Sequence, residues 1–218
     1  MSSAAARLQT IHDAIARAAE LAKRDPADIQ LIAVTKSHSA DEIEPLIDAG
    51  QRDFGESRVQ EALSKWPALV ARHPDLTLHG IGRLQSNKAD EAVGLFATIH
   101  SLDRVALLDA LVKAAAKAGR TPGVYVQVNI GEEQQKGGCA INEVGALVEA
   151  VRASPLRLAG LMAIPPLGVE PAPYFALLAK LARRHDVSGL SIGMSGDFRE
   201  AVMLGATAVR VGTALFQD

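Results

Sequence analysis

Ile29-Gln-Leu-Ile-Ala-Val-Thr-Lys36-Ser-His38 reads as one buried strand, aliphatic and β-branched almost without a break, that ends in Thr35, Lys36, Ser37 and His38. Strands of this kind, apolar on both faces, belong to parallel sheets covered by helices. A lysine at such a strand exit is either a solvated charge or an amine kept near low-dielectric surroundings. In the second case desolvation favours the neutral amine, the form that makes Schiff bases. Read alone, Lys36 fits the solvated charge, and the rest of the chain has to decide.

Outward from this stretch, short apolar runs alternate with helical patterns. Strands are expected at 30–35, 52–55, 76–81, 96–100, 124–130, 156–163, 189–193 and 207–211. Helices are expected near 40–49, 57–72, 86–94, 103–118, 141–152, 171–186 and 197–204, several of them preceded by Ser or Asp as caps. Eight strands alternating with helices predict an α/β fold, a (β/α)8 TIM barrel, with a doubly wound open sheet as the alternative. Before the first strand, Leu8, Ile11, Ile15, Ala18 and Leu21 recur at spacings of three and four, an extra N-terminal helix ended by Asp25-Pro26 and expected to close the barrel bottom. No linker, low-complexity tract or composition shift divides the chain, so residues 1–218 are expected to form a single domain.

Composition narrows the function. The chain has 218 residues, of which 48% are hydrophobic, and a formal net charge of -2, which gives no electrostatic case for nucleic acid or an anionic membrane as partner. A single cysteine rules out an internal disulfide framework and suits a reducing compartment. The N-terminus has neither a secretory signal pattern nor a membrane-length apolar span, so a cytoplasmic protein is expected.

In barrels of this class the chemistry sits where strands end, and a phosphate site commonly forms from the loops after strands seven and eight. Here those loops read Gly193-Met194-Ser195-Gly196-Asp197 and Arg210-Val211-Gly212-Thr213. Small residues leave backbone N–H groups accessible, and Ser195 and Thr213 add hydroxyl donors. Strand one neighbours strand eight when a barrel closes, which brings Lys36 beside this cradle. A ligand with an aldehyde at one end and a phosphate at the other would bridge them, and pyridoxal 5′-phosphate has that shape.

The stretches LIAVTKSHSADEI, DFGESRVQEALSKW, LHGIGRLQSNK, HSLDR, VQVNIGEEQQKGG, GLMAIPP and LSIGMSGDFREAVMLGATAVRVGTALF, in this order, resemble the pyridoxal phosphate homeostasis family, whose barrel is related to that of alanine racemase and bacterial ornithine decarboxylase. The resemblance implies a fold type III barrel without the C-terminal β domain. It implies that Lys36 forms the Schiff base, that Ser195, Gly212 and Thr213 hold the phosphate, and that Arg210 lies close to the cofactor. Ile81 and Met194 would pack near the pyridine ring, and Asn87 and Gln85 would shape the rim after strand three. The family commonly has Asn at Ser57, an aromatic at Gly80 and glycine at Gln217, departures that put the packing around strands two and three in question.

Binding a cofactor is not catalysis. A racemase of this class needs a second acid–base residue from an additional β domain, which would have to follow Asp218. An arginine at the pyridine nitrogen disfavours electron-sink chemistry, whereas a carboxylate favours it, so Arg210 against Asp197 is the deciding contrast. The reading favoured is a monomeric carrier that holds pyridoxal 5′-phosphate and hands it to apo-enzymes. An amino-acid racemase and a cofactor-free Schiff-base aldolase are the rivals. Lys136, in the loop Gly131–Gly138, is a candidate competing amine for release, and otherwise a solvated lysine. Gly80-Ile-Gly-Arg-Leu-Gln85 is a poor dinucleotide fingerprint, lacking its last glycine. The histidines show no metal-ligand spacing, although His38 and His79 lie near strand exits and could line the pocket. Cys139 reads as an incidental thiol.

Overall fold

Eight parallel strands close on one another in sequence order. They are β1 (Gln30–Val34), β2 (Asp53–Glu56), β3 (Thr77–Gly80), β4 (Thr98–Leu102), β5 (Gly123–Gln127), β6 (Arg157–Met162), β7 (Leu190–Ser191) and β8 (Ala208–Val211). The computed structural model describes residues 3–217. Parallel neighbours require a crossover, and helices supply each one: α2 (Ala40–Asp48), α3 (Val59–Arg72), α4 (Ala89–Leu95), α5 (Val105–Ala118), α6 (Val144–Arg152), α7 (Ala172–Arg184) and α8 (Phe198–Met203), with α1 (Ala4–Leu21) before the barrel and α9 (Thr213–Phe216) after it. Ala33 of β1 stands opposite Phe54 of β2 on one side and Val211 of β8 on the other, and this register closes the ring. Among the described residues no helix is long and apolar enough to cross a membrane.

Sequence chemistry sets the helix ends. Ser39 caps α2 with a full capping box, Glu42 returning a bond to the Ser39 backbone N–H, while Gly119 ends α5 at φ +61°. The amphipathic helices lay Ile43, Ile47, Trp66, Leu69, Leu107 and Leu111 against the outside of the barrel, all of them essentially inaccessible. Side chains of this size contribute about 1.5–3 kcal/mol each on burial.

The expected N-terminal helix exists but does not plug the barrel bottom. It packs against α8, α9 and α2 in the outer ring, because α9 is only four residues long and leaves the β8 flank uncovered. Leu8, Ile11, Ile15 and Ala18 are buried there, and Arg7 Nε donates to Leu215 O at 2.8 Å. Leu21, expected on the same stripe, is 77% exposed, one turn beyond the covering helices. Strand seven is shorter than expected: it is regular only over Leu190–Ser191, although Gly193, at φ +92°, still accepts from Arg210 N–H at 2.9 Å. The fourth strand lies two residues later than its apolar run, since Phe96 is used instead to cap α4 and to pack.

Phe96 also accounts for one departure from the family pattern. A Cβ on Gly80 would lie 2.7 Å from Phe96 Cδ2, so the ring from the α4–β4 junction fills the space beside β3. Gly80→Ala is therefore expected to destabilise the fold by about 1–3 kcal/mol through overpacking, measured by urea unfolding, and Gly80→Ala with Phe96→Leu is expected to recover most of the loss.

Candidate functional site

β1 leaves the barrel through a tight turn. His38 N–H donates to Thr35 O at 3.1 Å, and Ser37 between them sits at φ +65°, a left-handed conformation unfavourable for a serine. Two acids and a lysine hold it there. Ser37 N–H donates to Glu61 Oε1 at 2.6 Å, and Lys65 Nζ donates to Thr35 O at 2.8 Å and to His38 O at 2.9 Å. The same ammonium lies 2.9 Å from Glu56 Oε1 and 3.2 Å from Glu61 Oε1. Glu56, fully buried, also accepts from Thr35 Oγ1 at 2.6 Å and from Trp66 Nε1 at 2.8 Å. Lys36 occupies the second position of this turn, so its backbone is fixed while its side chain remains free.

Lys36 is exposed, so the protein does not enclose it in the low-dielectric surroundings that its apolar strand suggested. It lines a cleft of about 340 Å3 together with Ser195, Gly212, Thr213, Arg210 and Met194. The two ends of the chain thus meet as the strand order requires. Gly212 N–H donates to Ser195 Oγ at 3.2 Å, which ties the β7 and β8 loops into one cradle, and a Cβ added at Gly196 would meet nothing. Ile81, Ile164 and Val34 supply apolar walls, and among the described residues no carboxylate lines the cleft. His38 lines it too, its ring stacked on Phe216 at 3.7 Å.

Arg210 is 4% exposed and fixed from below. Its Nη1 donates to Ser191 O at 2.6 Å and to Ser191 Oγ, and its Nη2 donates to Ala163 O at 3.1 Å. Burial pulls the guanidinium down to about 10, against the raising influence of Asp197 and Tyr125, so it remains a cation at neutral pH. Asp197 does not line the cleft; its carboxylate accepts from Met194 N–H at 2.5 Å.

Beneath Arg210 a chain of polar side chains crosses the barrel. Ser191 Oγ is 2.8 Å from His100 Nδ1, His100 Nε2 is 3.1 Å from His79 Nδ1, and His79 Nε2 is 3.1 Å from Asp53 Oδ1. The Asp53 carboxylate only accepts, so His79 Nε2 carries a proton, and at the other end the Ser191 oxygen accepts from Arg210. Burial, the neighbouring His79 and the Arg210 charge all push His100 well below its ordinary value, so its imidazole is neutral.

Other sequence-derived candidates fall elsewhere. Asn87 is exposed on the turn Ser86–Lys88 and does not reach this cleft, because that turn follows β3 on the far side of Arg83; Gln85 lines a neighbouring groove. His79 lies inside the barrel and not at the pocket, since its position on β3 points inward. Ser57 and Gln217 border the cleft itself, so two of the three departures from the family pattern touch the site and not only the packing. In the GIG segment a Cβ at Gly82 would lie 2.0 Å from Ser57 O; the glycine serves a close backbone approach. Lys136 lines an adjoining cavity of about 280 Å3 that shares Ser57, Ile81 and Ile164 with the cleft. Its ammonium is held by Glu133 Oε2 at 2.6 Å and Pro165 O at 3.0 Å. Cys139 is buried, and desolvation with Glu143 nearby pushes its thiol up to about 12, which leaves it unreactive. Glu56, Lys65, His100 and Ser191 went unnoticed in the sequence; for Glu56, His100 and Ser191 the only signal was a polar residue where an inward, apolar one was due, and Lys65, on α3, gave none.

Comparison with known proteins matches this geometry to relatives. Residues 7–218 match the alanine racemase N-terminal domain family. The pyridoxal phosphate homeostasis protein of Pseudomonas aeruginosa is 42% identical over 225 residues, which cover 99% of this chain and 96% of that one. The chain belongs to the pyridoxal phosphate homeostasis protein family. Within the family, the structure of PipY from Synechococcus elongatus with PLP bound is 41% identical and superposes with a TM-score of 0.80 over 93% of this chain and all of that one. Alanine racemase from Clostridium difficile, at 15% identity and a TM-score of 0.72, shares the barrel; the match covers 97% of this chain and 56% of the racemase.

Two expectations follow from the turn. Lys65→Met strands the buried Glu56 carboxylate and is expected to cost about 3–5 kcal/mol in urea unfolding, whereas Lys65→Met with Glu56→Gln restores a large part. The Ser39 backbone N–H, with His38 and the Ser39 hydroxyl, holds the Glu42 carboxyl down to about 2. Its folded value lies below the unfolded one, so the capping box contributes fully above about pH 4.5 and is lost as pH falls through about 2. Carboxyl NMR of Glu42 is expected to show that midpoint, and a midpoint near 4.5 would remove the bond from solution.

Proposed function

We propose that this protein binds pyridoxal 5′-phosphate through Lys36 and serves intracellular homeostasis of that cofactor, holding and releasing it without substantial turnover of its own. The observation that carries this reading is the convergence of one flexible lysine, a hydroxyl-and-amide cradle and a buried arginine on a cleft that no carboxylate of the described residues lines. The residues fit the group. The Ser195 and Thr213 hydroxyls and the Gly196 amide are donors suited to a phosphate, with Gly212 beside them giving its N–H to Ser195 Oγ, Ile81 and Met194 offer apolar contact for a ring, and Lys36 is the amine within the same cleft. The PLP-bound PipY structure supports the same ligand.

When bound, the cofactor supplies an electrophilic aldehyde and an electron-accepting ring. Among the described residues, Lys36 and His38 are the bases that line the cleft. Arg210, pinned by Ser191 and Ala163, keeps a positive charge on it at neutral pH, while Asp197 is occupied with the Met194 N–H. A ring nitrogen held against that guanidinium would not stay protonated, which would weaken the electron sink that a racemase needs. Exposure of Lys36 suits exchange, because an incoming amine reaches the same carbon from solvent. A cytoplasmic monomer that passes the cofactor to apo-enzymes accords with these features. Lys136 would assist release only by leaving Glu133, so its contribution is expected to be modest.

Mixing the protein with pyridoxal 5′-phosphate, reducing with borohydride and mapping peptides is expected to place the adduct on Lys36. Lys36→Ala is expected to lose most of the visible absorbance of the complex. Absence of an adduct in the wild type would sink the assignment, and racemisation of any L-amino acid at rates typical of enzymes, above roughly 1 s−1, would replace the carrier with a catalyst.

A further inference from the structure

The loops that follow β2, β3 and β4 enclose a second, larger groove of about 620 Å3 on the same mouth of the barrel. Arg58, Arg83, Lys88 and Arg104 line it beside the amides of Gln60 and Gln85, and no carboxylate does. The chain as a whole carries a formal charge of -2, so four cations on one concave surface do not follow from composition. Two are engaged: Arg104 Nη1 donates to Asp103 Oδ1 at 2.5 Å and its Nη2 to Ser86 Oγ at 3.2 Å, while Lys88 pairs with Glu91 at 3.0 Å. The other two are not. Arg58 and Arg83 are exposed and make no hydrogen bond or ion pair among the described residues.

Two further features add to the positive field. The fourteen-residue helices α3 and α5 start on this groove, at Arg58 and Arg104, and in neither does a side chain accept from the first-turn N–H groups. The groove is also continuous with the Lys36 cleft. Ser57 lines both, and Arg83 lines both the groove and the intervening cavity that carries Lys136. Carboxylates flank the groove, Asp103 at Arg104, Glu91 at Lys88 and Glu61 within electrostatic reach of Arg58, but the residues that line it are cationic, neutral polar or apolar.

We infer that this groove is a second anion site, built for a small phosphate monoester and open to the Lys36 cleft. The forked guanidinium groups of Arg58 and Arg83 suit a dianionic phosphate, and the volume lies in the range of small-ligand sites. Its role, holding a phosphorylated vitamer next to the capturing lysine, rests on the reading of that cleft; the anion site itself does not.

The test separates the two. The Lys36 adduct is fixed with borohydride, which fills the first site irreversibly, and the protein is then titrated calorimetrically with pyridoxine 5′-phosphate, which lacks the aldehyde, and separately with inorganic phosphate. One further equivalent of the ester is expected to bind, more weakly at higher ionic strength, and Arg58→Gln with Arg83→Gln is expected to weaken it at least about tenfold with the unfolding midpoint unchanged. Equal binding of inorganic phosphate also supports the site and reduces its ligand class to phosphate alone. No binding of either probe at millimolar concentration, or an affinity in the double variant within about twofold of wild type, overturns it. If Lys36 forms no adduct, the reading of the cleft falls, and the same titration on the untreated chain still decides this one.

Discussion

The buried pair of Lys65 and Glu56 is the constraint on which the site depends. An ammonium and a carboxylate taken out of water are unfavourable unless each is surrounded by partners. Lys65 has two turn carbonyls and Glu61 around it, and Glu56 Oε1 accepts from a hydroxyl and an indole N–H, while Glu56 Oε2 is buried with no hydrogen-bond partner among the described residues. The partners are the very groups that define the exit of β1. The ion pair therefore acts on the backbone and not on the ligand, offsetting the strain of Ser37 at φ +65° and leaving Lys36 oriented toward the cleft on a rigid base.

A second polar assembly does the corresponding work for Arg210. An arginine at the floor of a cleft would swing if only its charge were specified. Ser191 and Ala163 hold it by geometry, and the histidine chain behind Ser191 holds the serine rotor in one orientation. With Asp53 at its far end the chain joins β2, β3, β4 and β7 by hydrogen bonds across the barrel. This is how a (β/α)8 barrel, normally filled with branched aliphatic side chains, accommodates His79, His100 and Ser191 in its interior.

The barrel and the two halves of the cleft were legible in sequence because they rest on local signals: short continuous apolar runs, capping residues, and glycines beside hydroxyls at strand exits. Barrel closure then placed Lys36 next to Gly212 with no further information. What could not be read depends on contacts between segments distant in the chain. Lys65 looks like an ordinary helix-surface lysine until α3 is laid against β1. His79 looked like a rim residue because strand ends are uncertain by a residue or two, and one residue decides whether a side chain faces the barrel interior. Asn87 was misplaced for a related reason, since the turn that carries it leads away from the mouth. Gly80 appeared as a loss of an aromatic, and only the fold reveals that Phe96 occupies the same volume.

The seam between β1 and β8, with α1 laid over it, has a consequence for how the protein is made. Arg7 bonds to Leu215, and residues 30–33 of β1 pair with residues 208–211 of β8, so segments made earlier wait for segments made much later before they acquire their partners. Until then the nascent chain exposes an open-edged parallel sheet and an amphipathic helix with its apolar face uncovered, the species most prone to self-association. Synthesis of this chain thus has a vulnerable interval that ends only when translation reaches the eighth strand, and sequence-distant pairing makes the final closure slow compared with the local helices that precede it.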